Sequence, residues 1–369
     1  MLDTHIGHGY ILFFTVVVPH FSLNLKISLS MQVELKTPYL IFLGDETEVF
    51  HAKTGTGIVH WRPELCVGQL RLPGSNIVDL GLPDMSPEEG VSAGAKSLIW
   101  GVAGLGGMIP PNWTSSLFDA VEAGLDIVAG THMSLTEVPG LANAAKHASV
   151  SLIDIRTPPS NIDIGNGIKR TGKRLLTIGT DCVAGKKFTA LALVEEMLKR
   201  GMQTDFRATG QTGIMIAGSG IAMDAVVSDF VSGAAEILSP DNDENHWDVI
   251  EGQGSLFHPS YAAVTLGLLH GSQPDAFVVC HEVGRRFIHA FPQFSLPDFE
   301  TLIEHTISCG KLTNQNIRCI GISVNTVTLP EKMRENYLRE IADSTGLPCV
   351  DPVATGVGQL VDHILDTYT

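Results

Sequence analysis

Gly179-Thr180-Asp181-Cys182-Val183-Ala184-Gly185-Lys186-Lys187-Phe188-Thr189 is the stretch on which the reading of this chain turns. The apolar run Leu175–Ile178 precedes it, and Lys187–Arg200 follows with helical spacing and a stop at Gly201. Strand, glycine-rich loop, lysine and helix in that order make a phosphate-binding P-loop. The backbone N–H groups of such a loop turn inward onto an anion, and the helix N-terminus adds the positive end of its dipole. Lys186 supplies a point charge for the outer phosphate. Gly179, Thr180, Asp181, Gly185, Lys186, Lys187 and Thr189 are therefore the candidate cofactor-binding residues. Two departures matter. One extra residue separates Gly179 from Gly185 relative to the commonest spacing, and Lys187 stands where a Ser or Thr hydroxyl ordinarily binds Mg²⁺. Thr189 replaces that hydroxyl only if the loop is re-registered. A second ammonium in place of a metal ligand favours static neutralisation of a pyrophosphate over phosphoryl transfer.

Outward from the loop, apolar strand-like runs alternate with helical spacing. Upstream, strands fit Tyr39–Leu43, Lys96–Val102, Leu125–Ala129 and Ser151–Ile155, and helices fit Trp113–Ala123 and Leu135–His147, with a glycine-rich turn at Gly104–Gly107. Downstream, strands fit Thr204–Ala208, Trp247–Ile250, Ala276–Cys280, Arg318–Val324 and Pro348–Val350. Helices there fit Met223–Leu238, Ser260–Leu269, Pro297–Cys309, Glu331–Ser344 and Val357–Thr367. Alternation predicts an α/β protein. The continuous, non-alternating apolar strands predict mostly parallel sheets covered on both faces. The expected organisation is an N-terminal extension at 1–31, a Rossmann-like α/β domain at 32–158, a Pro/Gly/Asn-rich linker at 159–171 and a P-loop α/β domain at 172–369.

Composition bounds the rest. At roughly 100–200 residues per domain, 369 residues predict two domains. The net charge of −16 argues against a nucleic-acid surface, which wants a basic face. Cys66, Cys182, Cys280, Cys309, Cys319 and Cys349 form no C-x-x-C pair, and four lie in apolar, strand-like or helix-like contexts where a buried free thiol is the usual reading, which suggests a reducing, cytoplasmic compartment. No apolar run reaches the ~18 residues of a membrane span. Ile11–Pro19 resembles a signal-peptide core, yet no Lys or Arg precedes it and no A-x-A site follows. The first thirty residues read as a dispensable or mis-assigned extension, with an extra ordered strand and export as alternatives; a chain starting at Met31 is expected to fold.

The G-T-D-x-x-x-G-K spacing is similar to the loop of dethiobiotin synthetase and its relatives, which also carry an acidic strand end of the form E-G-x-G. Asp248-Val249-Ile250-Glu251-Gly252-Gln253-Gly254-Ser255 supplies it here. From about Gln32 the whole chain resembles the family catalogued as domain of unknown function 1611. The matching stretches include Ala52–Gly57, Trp61–Glu64, Gly106–Pro111, Gly130–His132, Asp154–Pro159, Gly210–Ile214, Asp224–Phe230 and Ser323–Thr326. Phe188 stands where that family leads one to expect Thr. The resemblance implies a D-glutamate N-acetyltransferase that uses acetyl-CoA as co-substrate. Coenzyme A carries a pyrophosphate, and acetyl transfer needs no Mg²⁺–γ-phosphate chemistry.

Several side chains are candidates for that chemistry. Glu251, a carboxylate leaving a buried strand beside two glycines, sits at the expected ligand-binding edge of the sheet. His281, in Cys280-His281-Glu282, has an ordinary pKa of about 6.5, suited to taking an amine proton. His258 follows the E-G-Q-G turn. Glu251, His281 and His258 are the catalytic candidates. Arg207 and Arg285 are candidates to clamp a carboxylate, Gln211 to line a backbone turn at Gly210–Gly213, and Asn325 to read an adenine edge. Each has a plain alternative: a strand cap, a chance cluster, a surface ion pair or a turn residue. Asp224 and Asp229 are a possible base or a solvated helix face. Lys53 and Arg62 are the positive groups of the first domain expected to face the cleft, and His132 follows a strand and a Gly there. No His/Cys/Asp set has metal-ligand spacing.

Three functions fit these residues. The first is acetyl transfer from acetyl-CoA to D-glutamate. The second is an ATP-dependent ligase or kinase on a small carboxylate, with Mg-ATP as cofactor. The third is a non-catalytic nucleotide-sensing protein. Partners are small molecules, with neither nucleic acid nor membrane, and a homo-oligomer is the default assembly.

Overall fold

The structure is a computed structural model and describes residues 35–49, 51–102 and 108–368. The N-terminal extension and the Gly104–Gly107 turn lie outside the described residues. In chain order the first half comprises β1 (Tyr39–Gly44), α1 (Lys53–Trp61), β2 (Cys66–Arg71), α2 (Pro87–Ser92), β3 (Ser97–Trp100), α3 (Thr114–Glu122), β4 (Asp126–Ala129), α4 (Leu141–Ala148) and β5 (Leu152–Asp154). All five strands are parallel, in the order β2-β1-β3-β4-β5. β1, β3 and β4 are buried along their whole length. Helices therefore cover both faces, as the continuous apolar runs require.

The second half comprises β6 (Lys173–Gly179), α5 (Lys186–Lys199), β7 (Thr204–Arg207), α6 (Gln211–Ala217), α7 (Val231–Leu238), β8 (Trp247–Ile250), α8 (Ala262–Ser272), β9 (Ala276–Glu282), β10 (Phe287–Ile288), β11 (Phe291–Ser295), α9 (Phe299–Gly310), β12 (Arg318–Asn325), α10 (Glu331–Thr345), β13 (Cys349–Val350) and α11 (Gly358–Tyr368). Six of its strands form a parallel sheet in the order β13-β12-β9-β6-β8-β7. From β6 the chain first builds outward to β7 and β8, then crosses back to β9, β12 and β13. The reversal falls at β6, so its C-terminal end is the topological switch point where open α/β sheets bind ligands. The P-loop starts there.

Three differences from the sequence reading have local causes. Leu135–His147 is not one helix: Pro139-Gly140 breaks it, leaving a 3₁₀ turn at Leu135–Glu137 before α4. Met223–Leu238 is two 3₁₀ turns followed by α7, because Val226 and Val227 stay extended between them. α1 and α6 were not expected as helices, since Gly55, Gly57 and Gly213 lower their propensity. Close approach explains those glycines. Gly55 N–H donates to the Gly101 carbonyl at 2.8 Å, and a Cβ on Gly213 would lie 2.2 Å from the Glu251 carboxylate.

α1 is the element through which the first sheet's domain reaches the P-loop. It packs along α6. Thr54 and Thr212 share a hydroxyl hydrogen bond of 3.0 Å, and Arg62 Nη1 donates to the Ile216 carbonyl at 3.0 Å. Phe188, beside the P-loop lysines, contacts the rings of His60 and Trp61 at 5.3 and 5.6 Å. A phenylalanine at that position is thus a wedge between domains.

Candidate functional site

The loop from Gly179 to Gly185 is shaped by its own side chains. Asp181 is fully buried. Its Oδ1 accepts the Cys182 N–H at 2.6 Å, and its Oδ2 accepts Arg285 Nη1 at 3.0 Å and the His289 N–H at 2.7 Å. Arg285 also donates to the Cys182 carbonyl at 2.7 Å and pairs with Glu282. This network holds Val183 at φ +57°, a conformation costly for a β-branched residue. Gly185 follows at φ +94° and starts α5 with no side-chain cap. A Cβ there would meet nothing within 4 Å, so the loop is open on that side, and the first N–H groups of α5 have no side-chain cap. Lys186 Nζ bends over the loop and donates to the Asp181 carbonyl at 2.8 Å.

The second part of the site is the strand end of β8. Glu251 is 5% exposed. Its Oε2 accepts the N–H groups of Thr209 and Gly210, both at 3.0 Å. Burial pushes its pKa above the usual carboxylate value, although Lys187 and the two N–H groups oppose this. Gly252 lies so close to the Thr177 carbonyl that a Cβ would come within 1.6 Å. Gln253 Nε2 donates to Thr209 Oγ1 at 3.0 Å, and Gln211 packs directly on Gly130 of the first domain.

The adjacent lysines diverge, which corrects the expectation that both neutralise one pyrophosphate. Lys186 stays on the loop. Lys187 turns toward α1, where a Cβ on Gly57 would lie 3.1 Å from its Nζ. Burial lowers the Lys187 pKa to about 8, against the favourable charge of Glu251, and Lys53 lowers it further. In an ordinary P-loop the hydroxyl after the lysine and the strand-end acid together hold Mg²⁺. Here an ammonium group takes the hydroxyl's place beside that acid.

Other candidates move to structural roles. Thr189 is buried, shares a 2.8 Å hydrogen bond with Ser323 and accepts from Cys280, so it faces the sheet and not the loop. Arg207 is 4% exposed and points away from the strand end, donating to Asp248 at 2.8 Å and Asp205 at 3.2 Å. Its Nε and Nη2 are engaged by those two carboxylates. Arg285 is spent on the P-loop, as above. Thr180 Oγ1 is hydrogen-bonded to His281 Nδ1 at 3.0 Å; burial and the Arg285 charge lower the His281 pKa to about 4, making it a weak base. His258 Nδ1 accepts two N–H groups, from Ser260 at 3.1 Å and Tyr261 at 3.2 Å. Its proton therefore sits on Nε2, and it can donate but not act as a neutral base. Asn325 Oδ1 accepts the Val327 N–H at 3.1 Å, a turn bond. Asp224 pairs with Arg156 at 2.6 Å, tying the two domains.

Tertiary structure also gathers ligand-type atoms that linear spacing does not reveal. Asp181, Cys182 and His258 form one group within 4.8 Å, and Asp205, His246 and Asp248 another. Arg285 and backbone N–H groups already engage the first, and the second holds two cations, the Arg207 guanidinium and His246, where the opposing effect of burial is outweighed by Asp205 and Asp248 and the pKa rises to about 9. Losing half of a buried pair leaves the other charge stranded, at a cost of about 3–5 kcal/mol. Arg207→Ala is expected to lower the melting temperature while the remaining folded protein binds inorganic pyrophosphate at the P-loop with an unchanged dissociation constant. A selective loss of ligand affinity at unchanged stability would return Arg207 to the site.

A parallel α/β sheet ending in a P-loop, joined through α1 to a Rossmann-like sheet, defines a two-domain P-loop protein whose loop has exchanged its metal-binding hydroxyl for a lysine. The sequence profile described as the P-loop domain of domain of unknown function DUF1611 matches residues 163–361, and that of its Rossmann-like N-terminal domain matches residues 72–158. The chain belongs to the DUF1611 family. It is similar to a D-glutamate N-acetyltransferase of Tritonibacter scottomollicae, 47% identical over 89% of this chain and 99% of that one. It is also similar to a D-glutamate N-acetyltransferase of a Pseudoalteromonas species, 45% identical over 90% of this chain and 100% of that one. The crystal structure of a DUF1611 family protein from Anabaena variabilis superposes with a TM-score of 0.80 at 30% identity, over 90% of this chain and all of that one.

Proposed function

We propose that this protein is an N-acetyltransferase that moves the acetyl group of acetyl-CoA to the amine of D-glutamate. The observation that carries the reading is full-length identity of 47% and 45% to two proteins with that name. The site supports it. Gly185, Lys186 and the N-terminus of α5 hold phosphates of the donor, and the long, single-bonded pantetheine arm delivers the thioester to the seam beside the loop. Glu251 takes a proton from the acceptor ammonium, its buried carboxyl having more affinity for that proton than an ordinary glutamate. The freed amine attacks the thioester carbon, the C–S bond breaks, and the leaving CoA thiolate takes up the second proton that the nitrogen sheds as it becomes an amide. Lys187 offsets negative charge beside Glu251 as the tetrahedral oxyanion forms. The enzyme works in the cytoplasm. No helix among the described residues is long and apolar enough to cross a membrane.

Metal dependence tests this against the ligase reading. Acetyl transfer develops its charge on the thioester oxygen, away from the phosphates. Turnover should survive EDTA, and Lys187→Thr, which restores the hydroxyl of an ordinary P-loop, should lower activity. Activity abolished by EDTA and restored by Mg²⁺, with ATP consumed, would favour the ATP-dependent ligase. Tight acetyl-CoA binding without turnover of D-glutamate would favour the regulatory protein.

A further inference from the structure

His258 carries a proton that no group among the described residues accepts. It belongs to the turn after β8, and that turn is fastened to the P-loop and its strand. Gly252 N–H donates to Thr177 Oγ1 at 2.9 Å, and the fully buried Ser255 Oγ donates to the Thr180 carbonyl at 3.1 Å. His258 N–H in turn donates to the Ser255 carbonyl at 3.0 Å. The imidazole is 2% exposed, stacked on Tyr261 at 4.5 Å with Phe291 edge-on at 5.3 Å. Its Nδ1 is taken by the N–H groups of Ser260 and Tyr261, so Nε2 holds the proton and faces away from the turn. A ring nitrogen lies within 4.8 Å of both an Asp181 carboxylate oxygen and Cys182 Sγ, which puts the imidazole beside the P-loop. Asp181 is already engaged by Arg285 and by the N–H groups of Cys182 and His289. A buried N–H without an acceptor is costly, and a nitrogen that holds its proton cannot ligate a metal. The loop's own lysine comes to the same place. Lys186 runs against Gly252, where a Cβ would lie 3.1 Å from its Cδ, and its Nζ sits on the Asp181 carbonyl at 2.8 Å.

We infer that His258 is a phosphate-binding residue, its neutral Nε2–H donating to the same pyrophosphate that Lys186 holds by charge. This rests on the reading of the P-loop as the seat of the donor's phosphates. A neutral donor suits the position, because it adds a hydrogen bond to an anion without a second buried charge beside Lys186. Burial lowers the His258 pKa, Asp181 opposes this, and Lys186 and His289 lower it further, so the ring stays neutral. Arg285 pairs with the Asp181 carboxylate at 3.0 Å, so that charge does not face the phosphate unopposed.

Two substitutions separate the roles of the two ring nitrogens. In His258→Asn the side-chain oxygen takes the place of Nδ1 and keeps the turn, but no donor reaches the position of Nε2. In His258→Gln the amide N–H reaches that position, while the turn loses its acceptor. Isothermal titration with inorganic pyrophosphate should therefore rank the two in the reverse order of their stabilities. His258→Asn should melt near the wild type and bind roughly 10- to 150-fold more weakly, the worth of a hydrogen bond to a charged group. His258→Gln should melt lower and recover part of the affinity. Acetyl-CoA should repeat that ranking, and S-acetyl pantetheine, which lacks the pyrophosphate, should bind all three proteins alike. In the ¹⁵N-labelled wild type, pyrophosphate should shift the His258 Nε2–H resonance downfield, a reading that needs no variant. Affinity that follows melting temperature, with His258→Gln the weaker binder, overturns the inference and leaves His258 a brace for its turn. An Nε2–H resonance that saturating pyrophosphate does not move overturns it too. A wild-type protein that binds no pyrophosphate overturns the reading of the loop instead.

Discussion

Glu251→Gln should lower kcat by about 10²- to 10⁴-fold, the usual contribution of a positioned general base, with little change in acetyl-CoA affinity. The amide is nearly isosteric and still offers an oxygen to the N–H groups of Thr209 and Gly210, so the strand end keeps its shape. What it loses is the ability to take a proton. Burial raises the Glu251 pKa above the usual carboxylate value. A base with a raised pKa must lose its own proton before it works, so the wild-type rate should fall as pH drops through that pKa, at a higher pH than an ordinary glutamate gives. In the variant that acid limb should vanish. Steady-state kinetics across pH reads both effects. A Glu251→Gln enzyme with wild-type kcat would leave this carboxylate as a cap for Thr209 and Gly210 alone.

Lys186→Ala should weaken acetyl-CoA binding by roughly 10- to 150-fold, the worth of a charge-assisted hydrogen bond of about 1.5–3 kcal/mol. Lys186 is the ammonium that stays over the loop, where Gly179 leaves it room: a Cβ there would sit 2.7 Å from its Nζ. Its contact to the Asp181 carbonyl is a single bond, whereas Asp181 itself is fixed by three donors. Removing the lysine therefore takes away phosphate affinity more than loop shape. The loss should be large for acetyl-CoA and small for S-acetyl pantetheine, which lacks the pyrophosphate. Isothermal titration with both ligands separates these cases, and equal losses would show that the loop had collapsed.

Much of the fold was legible in the sequence because its signals are local. A short apolar run such as Ala276–Cys280, rich in β-branched and aromatic residues and preceded by Pro274, reads as a buried strand, and Gly-x₅-Gly-Lys between a strand and a helix has little other use. Glu251 was legible for the same reason, as a carboxylate at the end of a buried strand. Propensity misled where tertiary contacts override it. α1, with Gly55 and Gly57, looks like a poor helix until Gly101, Lys187 and Thr212 are seen to require bare backbone there. The exposed hairpin β10–β11 gave no strong pattern, yet its His289 N–H is one of the donors that fix Asp181.

Residue type and spacing by themselves determined the α/β class, the parallel sheets, the P-loop and its missing hydroxyl. They did not determine what each charged side chain faces. Arg207 and Arg285 are both arginines near strand ends in sequence, but one closes a buried ion pair with Asp248 and the other braces the P-loop through Asp181. Lys186 and Lys187 are neighbours, but successive positions on a helix point about 100° apart, so one stays on the loop and the other meets α1. His258 looked like a base until the N–H groups of Ser260 and Tyr261 were found on its Nδ1. Only the tertiary structure decides such matters, because a side chain's charge, tautomer and direction are set by neighbours distant in sequence and by the water they exclude.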